Sequence, residues 1–462
     1  MTDKNTDPRL GGRTKTAFRM SPGAIVPVLA AILAATLVSS LQAEIVINEI
    51  MYHPHDGWIT NAGTGWSLVT NETEYVEIYN YGTNVIDLSS YRFDNGITYG
   101  FPAGRALGTN ACLVVCKNYA AFTNAYPTAT NWLGNYDGSL NNGGERLTLS
   151  KLVDSSWETV DTIKYIDGGA SDGEGYSLEL VHPGFASMDD QFHGAWAAST
   201  NAGTVSNSVR YSGTPGRTNS VYNANASPVI GDIRHDPPLP PPGSSIAIAC
   251  RAGSRGGAGM VHTVKLLWRW DANPQTNTYD ELQMFDNGLN GDAVAGDNIY
   301  TRMFPTNNGS AAVTNGALLD FKIGVLDQWA GAATNPAISI ADTGTNALCC
   351  LCFFGNDTAF TGEYDTYHVL MTASNRSLLE TRGLYLRTTL DSTCITSDGD
   401  IFYNSGVRYR GDSSEIAAPN QVNYYVRLPR GEAIAGRDIL PLNHERQLKQ
   451  RLGMTVAHDS GY

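Results

Sequence analysis

The sequence predicts a mainly β protein: a β-sandwich on the N-terminal side, a second and smaller sandwich as a spacer, and a partial α+β unit at the end. Three observations carry that expectation. Forty-eight Gly, 20 Pro and 23 Tyr among 462 residues favour turns and strands over helices. Short runs of strand-forming residues recur between turn clusters from residue 44 onward. The length corresponds to about three domains at roughly 150 residues each, and a hydrophobic content of 42% lets each bury a core. With 16% charged residues, neither a disordered chain nor a coiled coil fits.

In chain order, residues 1–43 read as a secretory signal. The uncharged run Gly23–Val38 follows Lys4, Arg9, Arg13, Lys15 and Arg19 and precedes Ser39-Ser40-Leu41-Gln42-Ala43, with a small residue at a cleavage point after Ala43. The protein is therefore expected outside the cytoplasm: secreted, periplasmic or at the cell surface. A retained membrane anchor is the alternative, although the apolar run is shorter than the usual span of about 20 residues and contains Pro27. Formal net charge is −14, and more negative without the basic leader. Such a surface has no general footprint for nucleic acid or anionic lipid. The expected partner is a protein or glycan of the envelope or extracellular space, with membrane contact only if the leader is retained.

Residues 44–222 carry the strand-like runs Glu44–Met51, Glu74–Asn80, Cys112–Cys116, Arg146–Ser150, Thr159–Tyr165 and Tyr176–Val181. Within Glu74–Asn80, Val76 and Ile78 mark an inward face and Glu77 an outward one. Six or more such strands predict a sandwich, closed by a turn at Gly213–Asn219 and followed by a linker over Asn219–Pro228. Ile47-Asn48-Glu49-Ile50-Met51-Tyr52-His53-Pro54, Glu74-Tyr75-Val76-Glu77-Ile78-Tyr79-Asn80, Ile86-Asp87-Leu88-Ser89-Ser90-Tyr91, Tyr176-Ser177-Leu178-Glu179 and Gly213-Thr214-Pro215-Gly216 resemble the lamin-tail-like domain of secreted bacterial proteins. The resemblance implies an immunoglobulin-like sandwich that binds or scaffolds and has no established catalytic residues. Exposed aromatics such as Trp58, Trp66 and Trp132 are candidates for recognition, with core packing as the competing role. His53-Pro54-His55-Asp56 is too small a donor set for zinc on its own and reads as the end of the first strand.

Residues 223–345 begin with Pro237–Pro242, a stiff polyproline-type lead-in, and continue with strands at Ile246–Cys250, Val264–Trp270 and Leu319–Val325. They resemble the immunoglobulin-like spacers of exported multidomain proteins. One of Trp268 and Trp270 is expected to face inward. The Gly-rich stretch Ala252–Gly259 lacks a Gly-Lys-Ser/Thr and reads as a hairpin loop. Asp286, Asp292 and Asp297, spaced by Gly and Asn, can wrap a calcium ion, yet the same pattern serves as a turn whose carboxylates cap their own backbone.

Residues 346–462 change character. Strands are expected at Tyr367–Thr372, Ile401–Gly411 and Asn423–Leu428, with helices at Ala373–Arg382 and His444–His458. Gly406-Val407-Arg408-Tyr409-Arg410-Gly411-Asp412-Ser413-Ser414 and Arg427-Leu428-Pro429-Arg430-Gly431 resemble the N-terminal part of a CotH-type kinase-like domain. In that resemblance Arg408, Arg410 and Arg427 are candidates to contact phosphate, while the metal ligands and catalytic carboxylate belong to a C-terminal lobe beyond the matching part. Among seven cysteines, Cys112 and Cys116 lie about 13 Å apart on one strand face. The cluster Cys349, Cys350 and Cys352 points to an apolar role or to one disulfide with Cys394 or Cys250. The expected function is an exported binding or scaffolding protein, non-catalytic as it stands, with a truncated secreted CotH-like kinase as the alternative.

Overall fold

The computed structural model describes residues 45–54, 58–61, 65–68, 71–189, 192, 194–206, 209–257, 260–271, 278–305, 313–329, 331–335, 348–355, 366–382, 386–410, 423–442 and 454–455. All belong to one body, Gln42–Tyr462, and the architecture is mainly β with immunoglobulin-like sandwiches. The expected leader, His55, Asp56 and the Gly411–Ser414 end of the CotH-like segment lie outside the described residues.

In the first sandwich, β1 (Ile45–Met51), β2 (Tyr75–Asn80), β3 (Tyr91–Asn95), β4 (Tyr99–Gly100) and β5 (Ala111–Cys116) lead into a short helix α1 (Tyr119–Ala125) and β6 (Trp132–Gly134). The long hairpin β7 (Gly144–Val153) and β8 (Ser156–Ile166) follows, then β9 (Leu178–Leu180), β10 (Trp196–Ala198), β11 (Thr204–Ser206) and β12 (Val209–Tyr211). One sheet is ordered β6-β5-β2-β1-β9-β10, the other β8-β7-β3-β4, and β11 pairs with β12. Between the two sheets Ile47, Ile78, Phe93, Leu147 and Tyr165 are fully buried.

A bulge in β1 sets the chemistry of this sheet. The register with β2 shifts between Ile47 and Glu49, so Ile47 and Ile50, which would face opposite ways in a regular strand, both enter the core. The Ile47 amide donates to Asp161 Oδ2 of β8 at 2.8 Å. Asp161 also accepts the Ser187 amide and hydroxyl at 2.7 and 2.8 Å, so one carboxylate closes the seam between β1, β8 and the following loop. Burial pushes its carboxyl up to about 6 against the pull of those donors. The other face of the first sheet is also covered: Asn118 caps α1 through the amides of Ala120 and Ala121, and Phe122 and Tyr126 pack edge-on against Tyr75, each 5.5 Å between ring centres.

The second sandwich contains β13 (Val229–Asp236), β14 (Ile246–Gly253), β15 (Val261–Trp270), β16 (Asp280–Gln283), β17 (Ile299–Phe304), β18 (Ala317–Asp327), β19 (Ala332–Asn335) and β20 (Cys350–Phe354). Its sheets are β13-β14-β17 and β16-β15-β18-β19, with β20 also paired to β18. The proline run follows a first strand, β13, that the sequence reading did not foresee. The Gly-rich stretch joins β14 and β15, which lie in different sheets, and so is a crossing rather than a hairpin. Trp268 and Trp270 both lie against Phe304, 4.8 and 5.8 Å between ring centres. The two share a face, as residues two apart on a strand do, but only Trp268 packs on the second core while Trp270 is exposed, so the single inward tryptophan comes from depth in the sheet and not from alternation.

The third unit has β21 (Tyr367–Leu370), α2 (Ala373–Thr381), β22 (Leu390–Thr396), β23 (Ile401–Arg410), β24 (Asn423–Arg427), β25 (Ile439–Leu442) and β26 (Met454–Thr455) in one sheet ordered β25-β24-β23-β22-β21-β26, with α2 packed beside it. Thr372 caps α2 through the Asn375 amide. Most of the helix expected at His444–His458 lies outside the described residues. The two that are described, Met454 and Thr455, instead form a strand parallel to β21, whose open edge supplies their backbone partners.

β20 ties the second and third units together. Cys350 and Cys352 enter the second core, whereas Cys349, Leu351 and Phe353 pack with Leu370 and Ile395 of the third. The amides of Cys349 and Leu351 donate to Asp391 Oδ2 and Thr393 Oγ1, both at 3.1 Å. Arg430 fastens the third unit to the first, its Nε and Nη2 donating to the carbonyls of Asp167 and Gly168 at 2.8 and 2.9 Å. All seven cysteines are free thiols, so of the two expected roles the apolar one is seen, and no bridge joins the cluster to Cys394 or to Cys250, which shares the second core with Cys350 and Cys352. Cys394 packs in a different core from the 350/352 pair, and these side chains behave as small hydrophobes whose thiols burial pushes up.

Asp161→Ala would leave the buried Ile47 amide without its acceptor. The expected loss of unfolding free energy is about 2–4 kcal/mol in urea titration. A change under about 0.5 kcal/mol, the size of an ordinary surface substitution, would remove Asp161 from this role.

Candidate functional site

Glu77 does sit opposite Val76 and Ile78, but the face it occupies is not solvent. Glu77 of β2, Glu49 of β1 and Glu179 of β9 stand in one row across three adjacent strands, paired Glu49 with Glu77 and Glu49 with Glu179, and all three are fully buried. The expectation of an outward Glu77 is corrected because the segment after β12 folds over this face.

That segment, 213–221, is held by the row. The Thr214 amide donates to Glu49 Oε1 at 2.7 Å, and the Thr214 hydroxyl to Glu179 Oε1 at 2.9 Å. Gly216 donates its amide to Glu77 Oε2. The Ser220 hydroxyl and the Val221 amide donate to Glu179 Oε2 at 2.8 and 3.1 Å. From the sheet itself, the Tyr75 hydroxyl donates to Glu49 Oε1 at 2.6 Å and the Asn48 amide group to Glu77 Oε1 at 2.8 Å. Asn219 completes the closure by donating to the carbonyls of Asn48 and Leu180 at 2.9 and 2.8 Å. Gly213, at φ +145°, passes so close that a Cβ there would stand 2.4 Å from Tyr75 Oη and 2.7 Å from Glu49 Oε1; only glycine fits.

Burial, and then the like charge of Glu179, pushes Glu49 up to about 7; burial, and then Glu49, pushes Glu77 up to about 8. The hydrogen bonds from Tyr75, Thr214, Gly216 and Asn48 pull the other way. Burial and mutual repulsion thus make Glu49 and Glu77 harder to ionise than exposed carboxyls. Glu74, on the residue before β2, performs the same task for another loop, accepting the Leu140 amide at 2.9 Å, the Tyr136 hydroxyl at 2.8 Å and Lys117 Nζ at 3.2 Å.

Above the held segment lies an open cleft of about 250 Å³ between 125–129, 201–204 and 211–217. Tyr211 forms part of its wall, with the buried Tyr126 edge-on against it, 6.3 Å between ring centres. Arg217, exposed, donates from Nη2 to Thr128 Oγ1 at 2.6 Å. Asn201 is pinned beside it by bonds to Gly213 and Gly203.

The other sequence candidates are placed as follows. Asp286, Asp292 and Asp297 converge, with ligand atoms within 4.8 Å of one another. Each also accepts backbone amides of its own loop: Asp286 from Gly296 and Asn298, Asp292 from Gly288, Asp297 from Ile299, at 2.6 to 3.0 Å. Arg408 and Arg410 of β23 and Arg427 of β24 share one sheet face, since Arg408 pairs with Tyr425, Arg410 with Asn423 and Arg427 with Gly406. Arg408 lies over the Tyr425 ring at 4.1 Å. His53 bonds through Nδ1 to Asp172 Oδ1 at 2.6 Å. Trp132 is half-buried and stacks on Tyr119 at 5.6 Å. Although the backbones at Trp58 and Trp66 are described as strands, their side chains lie outside the described residues. The sequence reading missed the carboxylate row and the cleft. The signal for the row was a lone Glu inside each of three apolar strands: Ile-Asn-Glu49-Ile, Val-Glu77-Ile and Leu-Glu179-Leu.

A family model described as Lamin Tail Domain matches residues 39–167. No curated protein matches the chain. The match covers β1 to β8, including Glu49 and Glu77, and stops before β9 and the segment that closes over the row.

Groups raised by the fold favour it when protonated, so stability from Glu49 and Glu77 is present at low pH and is lost as pH rises through about 7 and 8. The melting temperature is expected to fall between pH 5 and pH 8.5, and Glu77→Gln to flatten the slope by up to about one proton's worth. A slope unchanged by the substitution would show that Glu77 titrates in its ordinary range. For the Asp286 loop, with its carboxylates already engaged by amides, calcium at about 5 mM, above the ~1 mM affinities of weak extracellular sites, is expected to leave the melting temperature unchanged; a clear rise would assign the ion.

Proposed function

We propose that this chain is an exported, multidomain binding or scaffolding protein of the cell envelope or extracellular space, acting by recognition rather than chemistry. The Lamin Tail Domain match supports a binding or scaffolding role for an immunoglobulin-like sandwich. The observation that carries the reading is the cleft over the carboxylate row, a concave polar and aromatic site built on loops of a rigid sandwich. The apolar leader is the support for export, and the shared strand β20 and the Arg430 clamp suit a scaffold that holds its parts in fixed relation.

A second reading draws on Arg408, Arg410 and Arg427 sharing one face, the arrangement that the CotH-type resemblance would use against phosphate. In that case the chain is part of a secreted kinase-like protein. ATP at millimolar concentration should then shift the melting temperature of the wild type and not of Arg408→Ala.

The principal reading expects the exported product to begin at Glu44 by N-terminal sequencing and the full chain to be retained on an envelope preparation. Material that stays cytoplasmic with Met1 intact would overturn export, and absence of retention would overturn the binding role.

A further inference from the structure

The binding reading leaves the ligand class open, and the cleft's own chemistry narrows it. At about 250 Å³ the space falls just under the roughly 300 Å³ where small-molecule sites begin, so it takes a ring-sized group rather than a folded partner. Its aromatic wall is Tyr211, half-buried, with Tyr126 edge-on behind it; such rings offer an apolar face together with a polar tip. Hydrogen-bonding groups around that wall are the hydroxyls of Thr128 and Thr204 and the amide of Asn201.

Charge is the more decisive feature. In a chain of net charge −14, no Asp or Glu among the described residues lines this cleft, and the charged side chain among them that does is Arg217. Its guanidinium is steadied by Thr128 Oγ1 at 2.6 Å, which fixes part of the fork that matches a carboxylate in bidentate fashion. The carboxylates beneath belong to the row and accept from Thr214 and Gly216, so the wall segment stands between them and a ligand.

We propose that the cleft binds an acidic saccharide, a sugar ring whose C–H face lies on Tyr211, whose hydroxyls meet Asn201 and Thr128, and whose carboxylate meets Arg217. The proposal rests on the binding reading and assigns its ligand class. A neutral sugar would leave Arg217 without a role, and a peptide would place its backbone along a cleft too short for several residues.

The test is calorimetric titration of the full chain with digalacturonate and with its neutral counterpart, galactobiose. Digalacturonate is expected to bind, roughly ten-fold or more tighter than galactobiose, and to weaken by a similar factor in Arg217→Ala and as salt is raised. Tyr211→Ala is expected to abolish binding, and Tyr211→Phe, which keeps the ring, to restore it. Equal affinity for the two sugars, affinity indifferent to Arg217→Ala, or no binding of either would overturn the proposal, as would displacement by an acidic hexapeptide at equal affinity. Retention on envelope material separates the two levels. If the wild type and Arg217→Ala are retained equally while digalacturonate fails to bind, the cleft assignment falls and the binding role stands; if neither is retained, the broader reading falls.

Discussion

The structure depends on carboxylates that leave water to hold loops. A sheet covered on both faces needs its covering segments to find partners for every buried N–H, and segments of irregular backbone supply few of their own. Here the strands provide the acceptors. Glu49, Glu77 and Glu179 receive the segment 213–221, Glu74 receives Leu140, Asp161 receives Ile47 and Ser187, and Asp391 receives Cys349. Each carboxylate resists ionising when buried, which is why Glu49, Glu77, Asp161 and Asp391 are all pushed upward. The donors around each offset that desolvation, so that removing one partner costs more than the pair contributes.

The same device explains why the three units form one body. Asp391 and Thr393 meet the backbone of β20, a strand buried on both faces, and Arg430 closes on three successive carbonyls at the end of β8, those of Ile166, Asp167 and Gly168. His235, pushed down to about 4 by burial, bonds to Tyr403 and the Pro238 carbonyl where the second and third units meet. Interfaces made of directed bonds to backbone fix orientation, whereas apolar contact alone tolerates sliding.

Much of the fold is legible in the sequence, because strand runs such as Tyr75–Asn80 and Asn423–Arg427 and the helix after Thr372 are local signals. What is not legible is what covers a face. The alternation in β2 correctly separates Glu77 from Val76 and Ile78, yet alternation cannot say that residues 213–221, more than a hundred positions away, will fold over Glu77. The bulge at Asn48 is hidden for a similar reason: it is fixed by pairing with β2 and by Asp161. The shared face of Trp268 and Trp270 follows from strand geometry alone, and β20 could not be placed because its pairing partner, β18, precedes it by a segment with no pattern of its own. The Asp286 cluster and the three arginines were grouped from sequence because their members are close in the chain or on neighbouring strands.

The carboxylate row bears on the choice between recognition and chemistry. Two buried carboxyls side by side, each pushed upward, have the electrostatic profile of an acid and base pair. Proton transfer, however, requires a carboxyl oxygen within hydrogen-bond reach of a substrate atom. Glu49 Oε1 already receives Tyr75 and Thr214, Glu77 Oε1 and Oε2 receive Asn48 and Gly216, and Gly213 lies flat over the first of these with no room for even a methyl group. To act on a substrate the row would have to lose the segment 213–221, and with it the wall of the cleft in which a substrate would sit. The raised carboxyls are therefore the consequence of holding the segment 213–221 in place, and Tyr211 and Arg217 line the cleft on the other side of it.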